Sequence, residues 1–169
     1  SLWNDKEEQL WVNLGVPAFL GLRYFQEKFG SNAGIFNNID WLNPRYKDHY
    51  FENMVNGLPP KMNYPIISSF RTIPDSQSFL KTLTYKTALV ISMLEFVMGD
   101  SYFKKGFKHF TEEFNNKIVG IKDFQISLEK HNKSPIMKRI FNGLRNYNFN
   151  GNGSLEWFFY QWFHTIKTL

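Results

Sequence analysis

The residues best suited to chemistry in this sequence are four histidines and two carboxylates close to one of them. The histidines are His49, His109, His131 and His164, and they are dispersed along the chain. Glu112 and Glu113 follow His109 by three and four positions, which places them on one face if this segment is helical. A His and Glu pair at this spacing is usually a surface contact rather than a metal site. These residues therefore predict no metal ligands.

Sequence motifs of familiar catalytic sites are absent from the chain. It contains no H-E-x-x-H zinc motif, no glycine-rich phosphate loop and no G-x-S-x-G nucleophile turn. It also contains no cysteine, which excludes disulfides, cysteine-ligated zinc and a thiol nucleophile. Taken alone, the residues form no complete active site.

The net charge of +5 raises the question of a nucleic-acid partner. The basic residues are nevertheless scattered among acidic ones. The closest clusters, Lys104-Lys105 with Lys108 and Lys138-Arg139, have the spacing of solvated helix faces. No arginine-rich arm or alternation of aromatic and basic residues is present. We therefore predict no nucleic-acid partner.

The element that must position any site is the longest apolar stretch, residues 83–98. Between residues 88 and 98 only Ser92 and Glu95 are polar, which predicts a helix buried on most of its circumference. The stretch is too short to cross a bilayer, which takes about 20 apolar residues. We predict a central core helix here, and no transmembrane segment in the chain.

A second long helix is predicted at the beginning of the chain. Asp5 and Glu8 have the spacing of a capping box, and apolar residues then recur with a helical period until Gly30. Pro17 lies within this pattern and removes one helical hydrogen bond. We therefore expect a kink or a break near Gly15.

Further apolar stripes predict an all-α fold. Helices are expected at 44–57, 76–80 and 135–144, and around three stripes: Phe103, Phe107, Phe110 and Phe114; Ile121, Phe124 and Leu128; Leu155, Phe158, Phe159, Trp162, Phe163 and Ile166. Residues 61–70 lack a helical period, contain Pro65 and are expected to lie extended along the surface. We predict an irregular multi-helix bundle, formed by residues 1–169 as a single helical domain or subdomain.

Short motifs along the chain occur in the order found in one enzyme family. Residues 10–19 resemble an L-W-L-N-E-G-F-A stretch, and Trp3-Asn4-Asp5 resembles the W-W-N-D upstream of it. Further along, Tyr64-Pro65-Ile66 resembles the motif H-P-I, and Pro74-Asp75 resembles the P-D that follows it. Leu83-Thr84-Tyr85-Lys86 then resembles I-T-Y-x-K. The last matches are Met93-Leu94-Glu95 to M-L-E, with Gly99 and Gly106 following, and Glu156-Trp157 to the segment that closes the catalytic domain. In these motifs the chain resembles the zinc aminopeptidases of the aminopeptidase N family, the gluzincins.

This resemblance implies the helical, C-terminal half of a thermolysin-like catalytic domain, as a fragment of a larger chain. Zinc is the cofactor of the family, and its H-E-x-x-H helix and G-A-M-E-N loop are not among these residues. The third zinc ligand of the family is the Glu of N-E-G, and Leu14 stands at that position. Leucine has no lone pair to offer, so the resemblance implies that the zinc site is lost. In the alternative, Glu7 or Glu8 supplies the ligand.

The resemblance also assigns a candidate catalytic residue. By its Leu-Thr-Tyr-Lys context, Tyr85 matches the tyrosine that donates a hydrogen bond to the oxyanion in the family's tetrahedral intermediate. Counting back from Met93 without a gap places Thr84 at this position instead. Tyr85 is thus either a relic of the catalytic tyrosine or a capping or core residue at a helix start.

These observations predict an aminopeptidase-N-like domain without peptidase activity, which serves as a scaffold or as a binding surface for a peptide or protein. One alternative is a part of an active zinc aminopeptidase whose H-E-x-x-H segment lies outside this chain. Another is an unrelated helical interaction module. The family and the sequon at Asn152 favour a membrane or secreted glycoprotein, at the cell surface or outside the cell, over a cytoplasmic protein.

Overall fold

The structure is a computed structural model, and it describes residues 10–30, 64–68, 75–132 and 154–165. All regular structure in these residues is helical, without a β-strand, which confirms the predicted all-α class. In chain order the helices are α1 (Trp11–Phe29), α2 (Ser76–Lys81), a π-turn (Thr82–Lys86), α3 (Thr87–Met98), α4 (Asp100–Glu113), α5 (Ile121–Glu129) and α6 (Glu156–Phe163). The capping box of Asp5 and Glu8 and the helices expected at 44–57 and 135–144 lie outside the described residues.

Helix α1 continues through Pro17, so of the two expected outcomes, a kink or a break near Gly15, the break is wrong. Pro17 and Asn13 both lie on the exposed face of α1. The carbonyl of Asn13 lacks its helical hydrogen bond, because Pro17 has no backbone N–H to donate. Water can hydrate that carbonyl, which lowers the cost of the missing bond. Gly15 instead serves packing, because a Cβ there would lie 2.6 Å from the carbonyl oxygen of Leu83 and closer still to the methyl group of Thr87. The glycine lets α1 approach the π-turn and α3.

The central helix begins earlier than residue 83 and is not purely α-helical. Asp75 caps its first turn by accepting a hydrogen bond from the backbone nitrogen of Ser78 at 2.7 Å. Helix α2, the π-turn and α3 then follow one another without a gap as far as Met98. As predicted, α3 is covered on most sides, and Phe96 is its one strongly exposed apolar residue.

Helices α4 and α5 pack through the predicted aromatic stripes. Phe103 and Phe110 are buried on α4, and the ring of Phe110 lies 5.0 Å from that of Phe124 on α5. Gly106 allows this approach, since a Cβ there would lie 3.0 Å from the Cα of Leu128. Such edge-to-face aromatic contacts add to the burial of apolar area that stabilises the bundle.

Helix α6 completes the described core. Its buried residues are Phe158, Phe159 and Phe163, preceded by the buried Leu155. Trp11 of α1 lies 5.4 Å, between ring centroids, from both Phe163 and Phe124. This tryptophan therefore joins the first, fifth and sixth α-helices in one hydrophobic core.

Residues 64–68 form a turn, but they do not lie only on the surface as expected. Ile66 is completely buried, and the backbone nitrogen of Ile67 donates to the carbonyl of Phe163 at 3.4 Å. The absence of a helical period correctly indicated an irregular segment. The sequence pattern did not indicate that one side chain of this segment, that of Ile66, is buried in the core.

Candidate functional site

The candidate zinc site is formed by Leu14, which stands at the predicted position of a zinc ligand, and by the neighbours of Leu14. Leu14 is half-buried on α1 and packs against the hydrophobic core. The next residue, Gly15, is in close contact with Leu83 and Thr87. The N-E-G-like part of the sequence therefore lies directly against the segment that contains Tyr85.

Tyr85 lies in the π-turn, where hydrogen bonds span five residues instead of four. Thr82, Leu83 and Lys86 are the buried residues of this turn, whereas Thr84 and Tyr85 are only partly buried. A π-turn accommodates one residue more than an α-helical turn, and such turns occur frequently at functional sites. The one-residue difference between the two alignments of the tyrosine thus falls inside a turn that can accommodate one extra residue.

Lys86, which the sequence reasoning did not single out, connects the π-turn to residues 64–68. Its side chain is completely buried, and Nζ donates a hydrogen bond to the carbonyl oxygen of Tyr64 at 2.9 Å. Burial lowers the pKa of Lys86 to about 8, because the charged form loses its hydration. The sequence signal for the burial of Lys86 is its position next to a long apolar run. Three motif segments, around Leu14, Tyr64 and Tyr85, therefore meet at one place.

Comparison with known families identifies the family of the chain. The model of a family described as the peptidase family M1 domain matches residues 3–144. The chain belongs to peptidase family M1. The family that the ordered motifs predict, that of aminopeptidase N, is thereby confirmed. No curated protein and no solved structure matches the chain.

In this M1 chain the resemblance implies that Leu14 stands where the family has a zinc ligand. Leu14 presents a hydrocarbon side chain where the resemblance implies a carboxylate. Among residues 10–30, 64–68, 75–132 and 154–165, no three His, Asp or Glu side chains are arranged to hold a metal. Glu7, Glu8 and His49 lie outside these ranges. The loss of the zinc site in the M1 chain stays a prediction, and so does the role of Tyr85.

The Glu of the M-L-E motif, Glu95, takes part in an ion pair between helices of the M1 domain. Its Oε1 lies 3.1 Å from a guanidinium nitrogen of Arg23 on α1, which also contacts Asp100 at 2.9 Å. Burial raises the pKa of Glu95, and the nearby Arg23 opposes this effect. The pair therefore holds α1 on the junction of α3 and α4. It supplies structural support.

A groove of about 430 Å³ lies between α1 and α4, beside this ion pair. Phe19, Phe103 and Phe107 line the groove, together with charged residues that include Arg23 and Lys104. Arg23 and Lys104 contact the carboxylate of Asp100 at 2.9 and 3.2 Å. These two cations of the groove therefore already have a carboxylate neighbour.

Among the described histidines, His109 and His164 lie at the surface of the M1 domain. His109 contacts Glu113 at 2.9 Å on the surface of α4, as the spacing indicated. His164 is exposed after the end of α6, and desolvation lowers its pKa. Separately, no described helix is long and apolar enough to cross a membrane.

Proposed function

We propose that this M1 chain is a pseudoenzyme domain, which keeps the helical framework of its family but has lost the chemistry of the zinc site. The proposal rests on Leu14, a residue without a metal-binding group, which the resemblance aligns with the ligand glutamate. In this reading the domain acts as a scaffold or as a binding surface for a peptide or protein, within a larger parent chain.

The surroundings of Leu14 support this proposal. The side chain is half-buried and packs against the core beside Trp11 and Ala18. A carboxylate in this position would lose part of its hydration, which is costly unless a cation or donor compensates for it. The close contact of Gly15 with the π-turn is meanwhile present. The packing role of the motif can therefore persist without its metal-binding role.

The decisive experiment measures zinc content and peptidase activity together in the full-length protein. The protein is purified from zinc-supplemented medium, analysed for metal by mass spectrometry and assayed with leucine p-nitroanilide. We expect no hydrolysis above that of a boiled sample. Hydrolysis that zinc chelation abolishes and zinc restores would refute the pseudoenzyme proposal.

An active zinc aminopeptidase is the second candidate, and the position of Tyr85 favours it. This tyrosine lies in a π-turn that packs against α1, next to the segment matching the zinc-ligand motif. In that case Glu7 or Glu8 supplies the ligand and Tyr85 polarises the substrate carbonyl. Tyr85→Phe should then reduce hydrolysis, and so should one of the two substitutions Glu7→Gln and Glu8→Gln. Unchanged hydrolysis in all three would remove this candidate.

We also propose that the protein is located at the cell surface or outside the cell, on the basis of its family and the sequon at Asn152. The proposal predicts an N-linked glycan in a eukaryotic secretory host. Digestion with peptide N-glycosidase F should increase the gel mobility of the wild type, and Asn152→Gln should reduce that increase. A cytoplasmic, unglycosylated product would contradict it.

A further inference from the structure

We draw no further inference here: the strongest candidate, the groove between α1 and α4 that Phe19, Phe103 and Phe107 line, carries none, because nothing in the described part of the chain shows what covers it.

Discussion

The carboxylate of Glu129 accepts a hydrogen bond from the backbone nitrogen of Leu155 at 2.6 Å. Glu129 is the last residue of α5, whereas Leu155 directly precedes α6. The same oxygen also accepts from the side chain of Gln125 at 3.0 Å. A side chain of one helix thus satisfies a backbone donor at the beginning of another, where donors otherwise lack a partner.

Replacement of Glu129 should therefore destabilise the α5–α6 junction. We expect Glu129→Ala to lower the free energy of unfolding by about 1–2 kcal/mol, because a partly buried backbone donor loses its acceptor. Glu129→Gln keeps an amide oxygen and should cost less. Urea denaturation measures both, with the exposed Glu112→Ala as the control. Equal stability of Glu129→Ala and this control would show that the hydrogen bond adds nothing.

Gly15 should not tolerate a side chain. In Gly15→Ala the new methyl group would overlap the carbonyl oxygen of Leu83 and the side chain of Thr87, and we expect a loss of about 2–3 kcal/mol. Gly21→Ala is the matched control on the same helix, because its added Cβ meets no atom within 4 Å beyond its chain neighbours and the nearby backbone of α1. That control should gain about 0.5–1 kcal/mol from helix propensity. Thermal unfolding compares the two, and a stable Gly15→Ala would mean that α1 and the π-turn are not in close contact.

The buried Lys86 should make stability increase with pH in alkaline solution. Its pKa falls from 10.5 to about 8 in the folded state, so between these values the unfolded chain binds more protons. Stability should rise through this range, by on the order of 3 kcal/mol relative to Lys86→Met. Lys105→Met, an exposed substitution on α4, controls for the loss of one lysine. Parallel pH profiles for the wild type and Lys86→Met would contradict the predicted burial of the ammonium group.

Removal of Arg23 should expose the cost of burying Glu95. In Arg23→Met the Glu95 carboxylate loses its ion pair at 3.1 Å, and we expect a loss of about 2 kcal/mol at pH 7. Burial already raises the pKa of Glu95, so this group favours folding when protonated and loses that advantage as pH rises. The cost of Arg23→Met should accordingly shrink towards pH 4. Chemical denaturation at both pH values measures it, and a cost that grows in acid would contradict the assignment.

The parts of the fold that depend on local periodicity could be predicted from sequence. The stripes that include Phe110 on α4 and Leu128 on α5 are visible in the sequence because each helix buries one face against its neighbours. The α-helical class and the family followed from such patterns and from the order of the motifs. These features are encoded within single segments.

What could not be predicted depends on contacts between segments. Pro17 suggested a break, but the exposure of Pro17 and the close packing of Gly15 allow α1 to continue. The burial of Ile66 and Lys86 follows from how residues 64–68 dock onto the π-turn, which no periodicity reveals. For the same reason His131 could not be associated with His109, since a turn between two helices brings them together.

The π-turn between α2 and α3 allows chains that differ by one residue in this segment to form the same core. An α-helix turns by about 100° for each residue, so the insertion of one residue would normally rotate everything before it relative to everything after it. A π-turn absorbs such an insertion within a single turn. One residue can therefore be gained or lost among residues 82–86 while α3 keeps its place in the core. Such a change alters only which side chain, Thr84 or Tyr85, occupies a given position in the turn.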